Sequence, residues 1–162
     1  MRIDYRKLLT EKIRTSPIPV FVQSLRKYKK FLKARKDKDD YSSICGELVL
    51  NNKKLLAGYP KDFIWIDAKM SISQQLTTLV HELAHVEYHK NRAKTGSVLS
   101  ELNSYSKELE YCLRLKSKFL VKILVNTIID CAKNGYLNNS QACEILLQSN
   151  LYAKAILFIN KR

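Results

Sequence analysis

His81-Glu82-Leu83-Ala84-His85 sets two imidazoles four residues apart, with a carboxylate directly after the first. On a helix, residues i and i+4 lie on one face, so both rings reach one point in space. Glu82 projects from the edge of the same face. H-E-x-x-H is the spacing of metal-assisted peptide hydrolysis: the two His hold zinc and the Glu acts as general base toward a water. All three His of the chain, His81, His85 and His89, fall within this short region.

The surrounding sequence supplies the helix. Ser71-Ile72-Ser73-Gln74 has the form of a capping box, and Leu76, Leu79, Val80 and Leu83 follow as a buried stripe. His81 therefore lies well inside the helix, which Asn91 to Gly96 ends. Upstream, Phe63-Ile64-Trp65-Ile66-Asp67 is β-branched, aromatic and bounded by breakers, the signature of a strand. Ile44 to Leu50 reads as a second strand, Asn51-Asn52 as a turn and Lys53 to Ala57 as a returning strand, before the break at Gly58-Tyr59-Pro60. Near the N-terminus, Asp4 to Arg14 reads as a helix that stops before Pro17. A second helix is expected from Pro19, with Phe21, Leu25, Tyr28 and Leu32 on one face, and Lys36 to Asp40 as a surface linker. Helices are expected at 97–115, 117–133, 140–149 and 151–160, with a break at Asn134-Gly135. The fold class is α+β and mostly helical. A three-stranded antiparallel sheet packs on the motif helix and a glutamate-bearing helix, flanked by N- and C-terminal helices. The expected organisation is basic helices at 1–40, a core at 41–115 and a helical segment at 116–162, in one compact domain.

Two His leave a tetrahedral zinc one protein ligand short of a catalytic set. A histidine six residues after His85 would complete one known pattern, but Asn91 stands there, and Tyr88 replaces the glycine of that pattern. His89 is one turn beyond His85. Each four-residue step rotates about 40° around a helix, so three ligands spread over His81, His85 and His89 converge poorly. A glutamate of the next helix remains, from Glu101, Glu108 or Glu110. Glu110 points away from the face that Glu101 and Glu108 share. Glu101 is favoured because it lies near the start of its helix, across a short loop from the middle of the motif helix, with Glu108 the alternative.

The strand at 63–67, the capped helix with His81-Glu82-Leu83-Ala84-His85-Val86-Glu87-Tyr88-His89, and the run Glu101-Leu102-Asn103-Ser104-Tyr105-Ser106-Lys107-Glu108-Leu109 together resemble the ImmA/IrrE family of zinc metallopeptidases. SprT-like proteases and the metallopeptidase domain of ArdC-type anti-restriction proteins share much of the layout. Leu102 and Ser106 replace the small alanines usual in the family's second helix. The resemblance covers roughly residues 41–115 and implies a small zincin-like domain holding one Zn2+ through His81, His85 and Glu101. Glu82 would then move the proton, and the strand at 63–67 would line the cleft and pair with an extended substrate. It also implies a regulatory endopeptidase that cuts one specific protein, often a DNA-bound one. Tyrosine or histidine side chains at His89, Tyr88, Tyr105 or Tyr59 are candidates to support the site or the oxyanion.

Charge adds a partner class. The chain carries 29 Lys and Arg against 15 Asp and Glu. Residues 1–40 alone hold thirteen basic and five acidic side chains. Such a bias suits a polyanion, nucleic acid first. Cys45, Cys112, Cys131 and Cys143 form no C-x-x-C pair, which suits reduced thiols. The N-terminus lacks the apolar run of a signal peptide, and no apolar stretch is long enough to span a bilayer. A cytoplasmic protein without a membrane partner is expected. A competing class is a non-catalytic zincin-like, nucleic-acid-binding or anti-restriction protein whose zinc is structural. The stretch from Ile128 through Gly135 to Leu147 has the outline of a helix–turn–helix. Its second helix, from Gln141 to Leu147, offers no Arg or Lys for bases or phosphates and reads as packing.

Overall fold

The computed structural model describes residues 3–36, 45–52, 55–91, 97–135 and 137–161. The expected linker after Lys36, the start of the strand at Ile44, residues 53–54 and the connection at 92–96 lie outside the described residues. The backbone forms two compact units whose boundary falls within one helix, after Glu82.

The N-terminal unit begins with α1 (Tyr5–Thr15), capped by Asp4, whose carboxylate accepts from the Lys7 amide at 3.0 Å. It continues with β1 (Val20–Gln23), α2 (Leu25–Arg35), β2 (Gly46–Val49), β3 (Phe63–Asp67) and the first half of α3 (Ile72–Asn91). The sheet has three strands as expected, but it is mixed. Its order is β1-β3-β2, with β1 parallel and β2 antiparallel to β3.

Three expectations are corrected here. Residues 20–23 are a strand and not the first turn of a helix. Val20 and Val22 favour a pleated surface, and the segment pairs with β3 from Val20↔Ile64 to Gln23↔Asp67. The helix starts only at Leu25, after Ser24. Residues 55–57 do not form a returning strand. The Asn52 side chain captures the local backbone, accepting from the Leu56 amide at 3.0 Å and donating to the Tyr59 and Pro60 carbonyls at 3.1 and 3.2 Å. Such side-chain bonds compete with a ladder. Leu55 and Ala57 are left-handed, and Leu56–Gly58 is a 3₁₀ turn. β3 is therefore the central strand. Both its edges are paired, so it has no free edge for the substrate pairing that the resemblance implied.

Alternation along β3 divides the unit into two faces. Phe63 and Trp65 face α2, where Tyr28 stacks on Trp65 at 4.3 Å between centroids, and Phe31 and Tyr59 complete an aromatic cluster. Glu47, opposite Trp65, accepts from the Tyr28 hydroxyl at 2.6 Å and pairs with Arg35 at 2.7 Å. Burial first, and then the Glu47 charge, push the Tyr28 phenol far above its ordinary range, so it stays a donor. Ile64 and Ile66 point to the other face, toward α3. Gly46 pairs with Ile66, and a Cβ on Gly46 would lie 2.5 Å from Thr78 Cγ2 and 3.3 Å from Glu82 Oε1.

The C-terminal unit holds the rest of α3 with α4 (Val98–Arg114), α5 (Lys118–Asn134), α6 (Leu137–Leu147) and α7 (Asn150–Asn160). Ser97, Ser117 and Ser149 each accept a backbone amide at the start of α4, α5 and α7, the usual work of an N-cap serine. Leu109, Val121, Ile128, Ala142, Cys143, Leu146 and Ala155 are buried together in the helical core. α6 thus spends Ala142, Cys143 and Leu146 on packing. No single described helix is long and apolar enough to cross a membrane.

Gly46 is a close approach between the sheet and α3. Gly46→Ala should cost about 1–3 kcal/mol of stability through overpacking, and adding Thr78→Ser, which removes the opposing methyl, should recover most of it. Urea unfolding of the single and double variants checks this. A Gly46→Ala protein as stable as the parent would show that the approach is looser than described.

Candidate metal centre

The phase of α3 is set at its start. The Ser71 amide donates to Gln74 Oε1 at 3.2 Å and the Gln74 amide donates back to Ser71 Oγ at 3.4 Å, the expected capping box. From that start, Leu76, Leu79 and Val80 turn to the core. His81 and His85 follow one turn apart on the adjoining face, His81 half-buried and His85 buried.

α4 brings the third group. Its Ser97 cap fixes where the helix begins, and Glu101 falls in the first turn. The ligand atoms of His81, His85 and Glu101 lie within 4.8 Å of one another. His85 Nε2 stands 3.5 Å from Glu101 Oε1. Two ligands each about 2.0–2.1 Å from a tetrahedral ion stand about 3.4 Å apart, so this pair already has the spacing of a shared cation. It is long for a direct hydrogen bond. Two imidazoles and one carboxylate are also a borderline-hard donor set that suits zinc chemistry, so the residues fit a metal.

The other candidates separate by position. Glu108 is buried further along α4 and is not part of the group. It lies near Cys112, whose thiol is pushed up to about 12 by burial first and Glu108 second. Glu110 is exposed and 3.7 Å from Lys107. His89 lies with its ring nearly parallel to His85 at 6.1 Å, and burial first, then His85, lowers its pKa. Its Nδ1 is buried without a hydrogen-bond partner among the described residues. Tyr88 packs edge-on to His89 at 5.9 Å. The Tyr105 hydroxyl lies 3.6 Å from Cys131 Sγ, and burial, then Cys131, raise its pKa strongly. Tyr59 is withdrawn from the set. It sits in the aromatic cluster on the face of the sheet away from α3 and donates to Gln23 Oε1 at 2.8 Å.

Glu82 is buried, and its carboxylate reaches the end of β2 beside Gly46. Two contacts here escaped the sequence reading. Ser100, fully buried, lies with Oγ 2.8 Å from His85 Nδ1. Asn103 Nδ2 donates to the Ala84 carbonyl at 3.4 Å, tying α4 to α3. Adjacency to Glu101 was the only sequence signal for Ser100, and it names no partner.

Comparison with known proteins gives one positive finding. The sequence profile of a peptidase family, described as the IrrE N-terminal-like domain, matches residues 28–111, from within α2 through most of α4. No curated protein and no solved structure matches the chain.

The grouping separates the two glutamates by experiment. Glu101→Ala should weaken zinc binding by at least about 100-fold, in line with loss of one of three protein ligands, whereas Glu108→Ala should leave it nearly unchanged. Competition with a chromophoric chelator measures both. Equal losses in the two variants would remove Glu101 from the ligand set.

Proposed function

The chain belongs to the IrrE N-terminal-like peptidase family, and from that premise we propose that it is a zinc endopeptidase with His81, His85 and Glu101 as ligands and Glu82 as general base. The observation that carries this reading is the convergence of those three ligand atoms, with a buried carboxylate directly after the first of them in sequence. A zinc ion held there would supply a Lewis acid to polarise a peptide carbonyl and to make water nucleophilic at neutral pH.

The remaining steps belong to the chain. Glu82 accepts the proton of the attacking water and delivers it to the leaving amine. Its burial strengthens its electrostatic interactions. The substrate would lie extended along β2. β3 is paired on both edges, while the outer edge of β2 pairs with no strand among the described residues, and β2 begins at Gly46 beside Glu82. Backbone pairing to an open edge is a common way of holding an extended peptide.

For the substrate, we propose a regulatory protein bound to DNA, reached in a reducing cytoplasm. The support is electrostatic. α2 presents Arg26, Lys27, Lys29, Lys30 and Lys33 to solvent, with Lys36 at its end. Its apolar residues, Tyr28, Phe31 and Leu32, are spent on the core. A face with cations and no large apolar residue suits a phosphate backbone better than insertion into a bilayer. The free thiols, of which Cys112 and Cys143 are buried, agree with a reducing compartment.

Glu82→Gln should retain zinc and lose cleavage by at least about 100-fold, the typical worth of a positioned general base. The same variant expressed in cells should hold the intact substrate and co-purify with it. Full peptidase activity in purified Glu82→Gln protein would remove Glu82 from the mechanism. Unfolding on chelation would make the zinc structural instead. Binding to a short DNA duplex should weaken steeply with salt, and Lys29→Glu with Lys30→Glu should weaken it further and flatten the slope. Anisotropy titrations at two salt concentrations measure this, and a slope unmoved by the substitutions would place any DNA contact elsewhere.

A further inference from the structure

We infer that Ser100 is a positioning residue for the metal centre, holding His85 with its proton on Nδ1 so that Nε2 presents a lone pair beside Glu101. The inference rests on the zinc reading above and adds to it a residue outside the ligand set. A neutral imidazole carries one proton, and which nitrogen holds it is decided by the partner of the other. His85 has distinct partners on its two nitrogens. Nδ1 faces Ser100 Oγ at 2.8 Å, a normal hydrogen-bond length. Nε2 faces Glu101 Oε1 at 3.5 Å.

Both contacts come from consecutive residues of α4. Ser100 and Glu101 differ by about 100° in direction around the helix, and the imidazole edge lies between them. Placing α4 for one contact places it for the other. With Nε2 committed to a cation, Nδ1–H donates to the Ser100 hydroxyl, which locks the ring plane and raises the basicity of Nε2. Two neighbours show that this is not a general property of the region. His89, one turn on along α3, has a buried Nδ1 with no partner among the described residues. Ser104, one turn on along α4 and also fully buried, has a hydroxyl with none. The Ser100–His85 pair joins a hydroxyl to a ring.

Ser104 therefore serves as a matched control. Ser100→Ala should weaken binding of zinc alone by about 10–100-fold, the usual effect of losing such an outer partner, while Ser104→Ala should leave the affinity within a few-fold of the parent. Both metal-free variants should melt close to the parent. In the zinc-loaded parent protein, long-range nitrogen–proton NMR of the imidazoles should show the His85 proton on Nδ1 and slow to exchange. In Ser100→Ala that proton should exchange much faster. Equal zinc affinity in Ser100→Ala and the parent, or zinc on Nδ1 of His85 in the parent, would overturn the inference while leaving the metal site standing. Absence of zinc binding by the parent protein would overturn both.

Discussion

Three potential metal-ligand atoms converge on one point where α3 meets α4, and the rest of the site depends on that convergence. His81, His85 and Glu101 bring their ligand atoms within 4.8 Å of one another. His85 is nearly fully buried, and the Glu101 side chain is only 13% exposed. Polar groups so placed cost free energy unless something satisfies them. A cation among them would satisfy all three at once. The rest of the arrangement serves to hold the three groups at that spacing. The capping box sets the phase of α3, Ser97 sets the start of α4, and Asn103 ties the second helix to the first.

The N-terminal unit builds a different part of the same chemistry. Its aromatic cluster fixes β3 as the buried central strand, and β3 in turn fixes β2 by antiparallel pairing. Gly46 lets the end of β2 come close to α3, where Thr78 and Glu82 lie. A side chain at that position would push the strand away from the helix. The peptidase reading thus depends on a glycine that has no chemistry of its own. It also depends on the strand order, because β2 offers an unpaired edge beside Glu82 only if it is outermost among the described strands.

Much of this was legible in the sequence, and the parts that were not share a cause. α3 could be placed because its signals are local: a cap, a hydrophobic period and two His at helical spacing. Glu101 could be chosen because a short connection and a helix start constrain geometry strongly. β1 was hidden because four residues between Pro19 and Ser24 carry little periodicity, and their pairing partner lies more than forty residues away. The strand expected at 53–57 was overridden, over residues 55–57, by one side chain, Asn52, whose three backbone contacts cannot be foreseen from a turn signal. Ser100 was invisible for the same reason as β1. A serine acquires a role only when the packing of two helices brings a ring nitrogen to it.

The central claim is that one ion is held by two imidazoles and a carboxylate. X-ray absorption at the zinc edge, on the protein loaded with one equivalent of zinc, reads that ligand set directly. The account predicts a shell of nitrogen and oxygen at about 2.0–2.1 Å, with the outer-shell scattering of two imidazoles and no sulfur. A sulfur shell at about 2.3 Å, or scattering from a single imidazole, would contradict it.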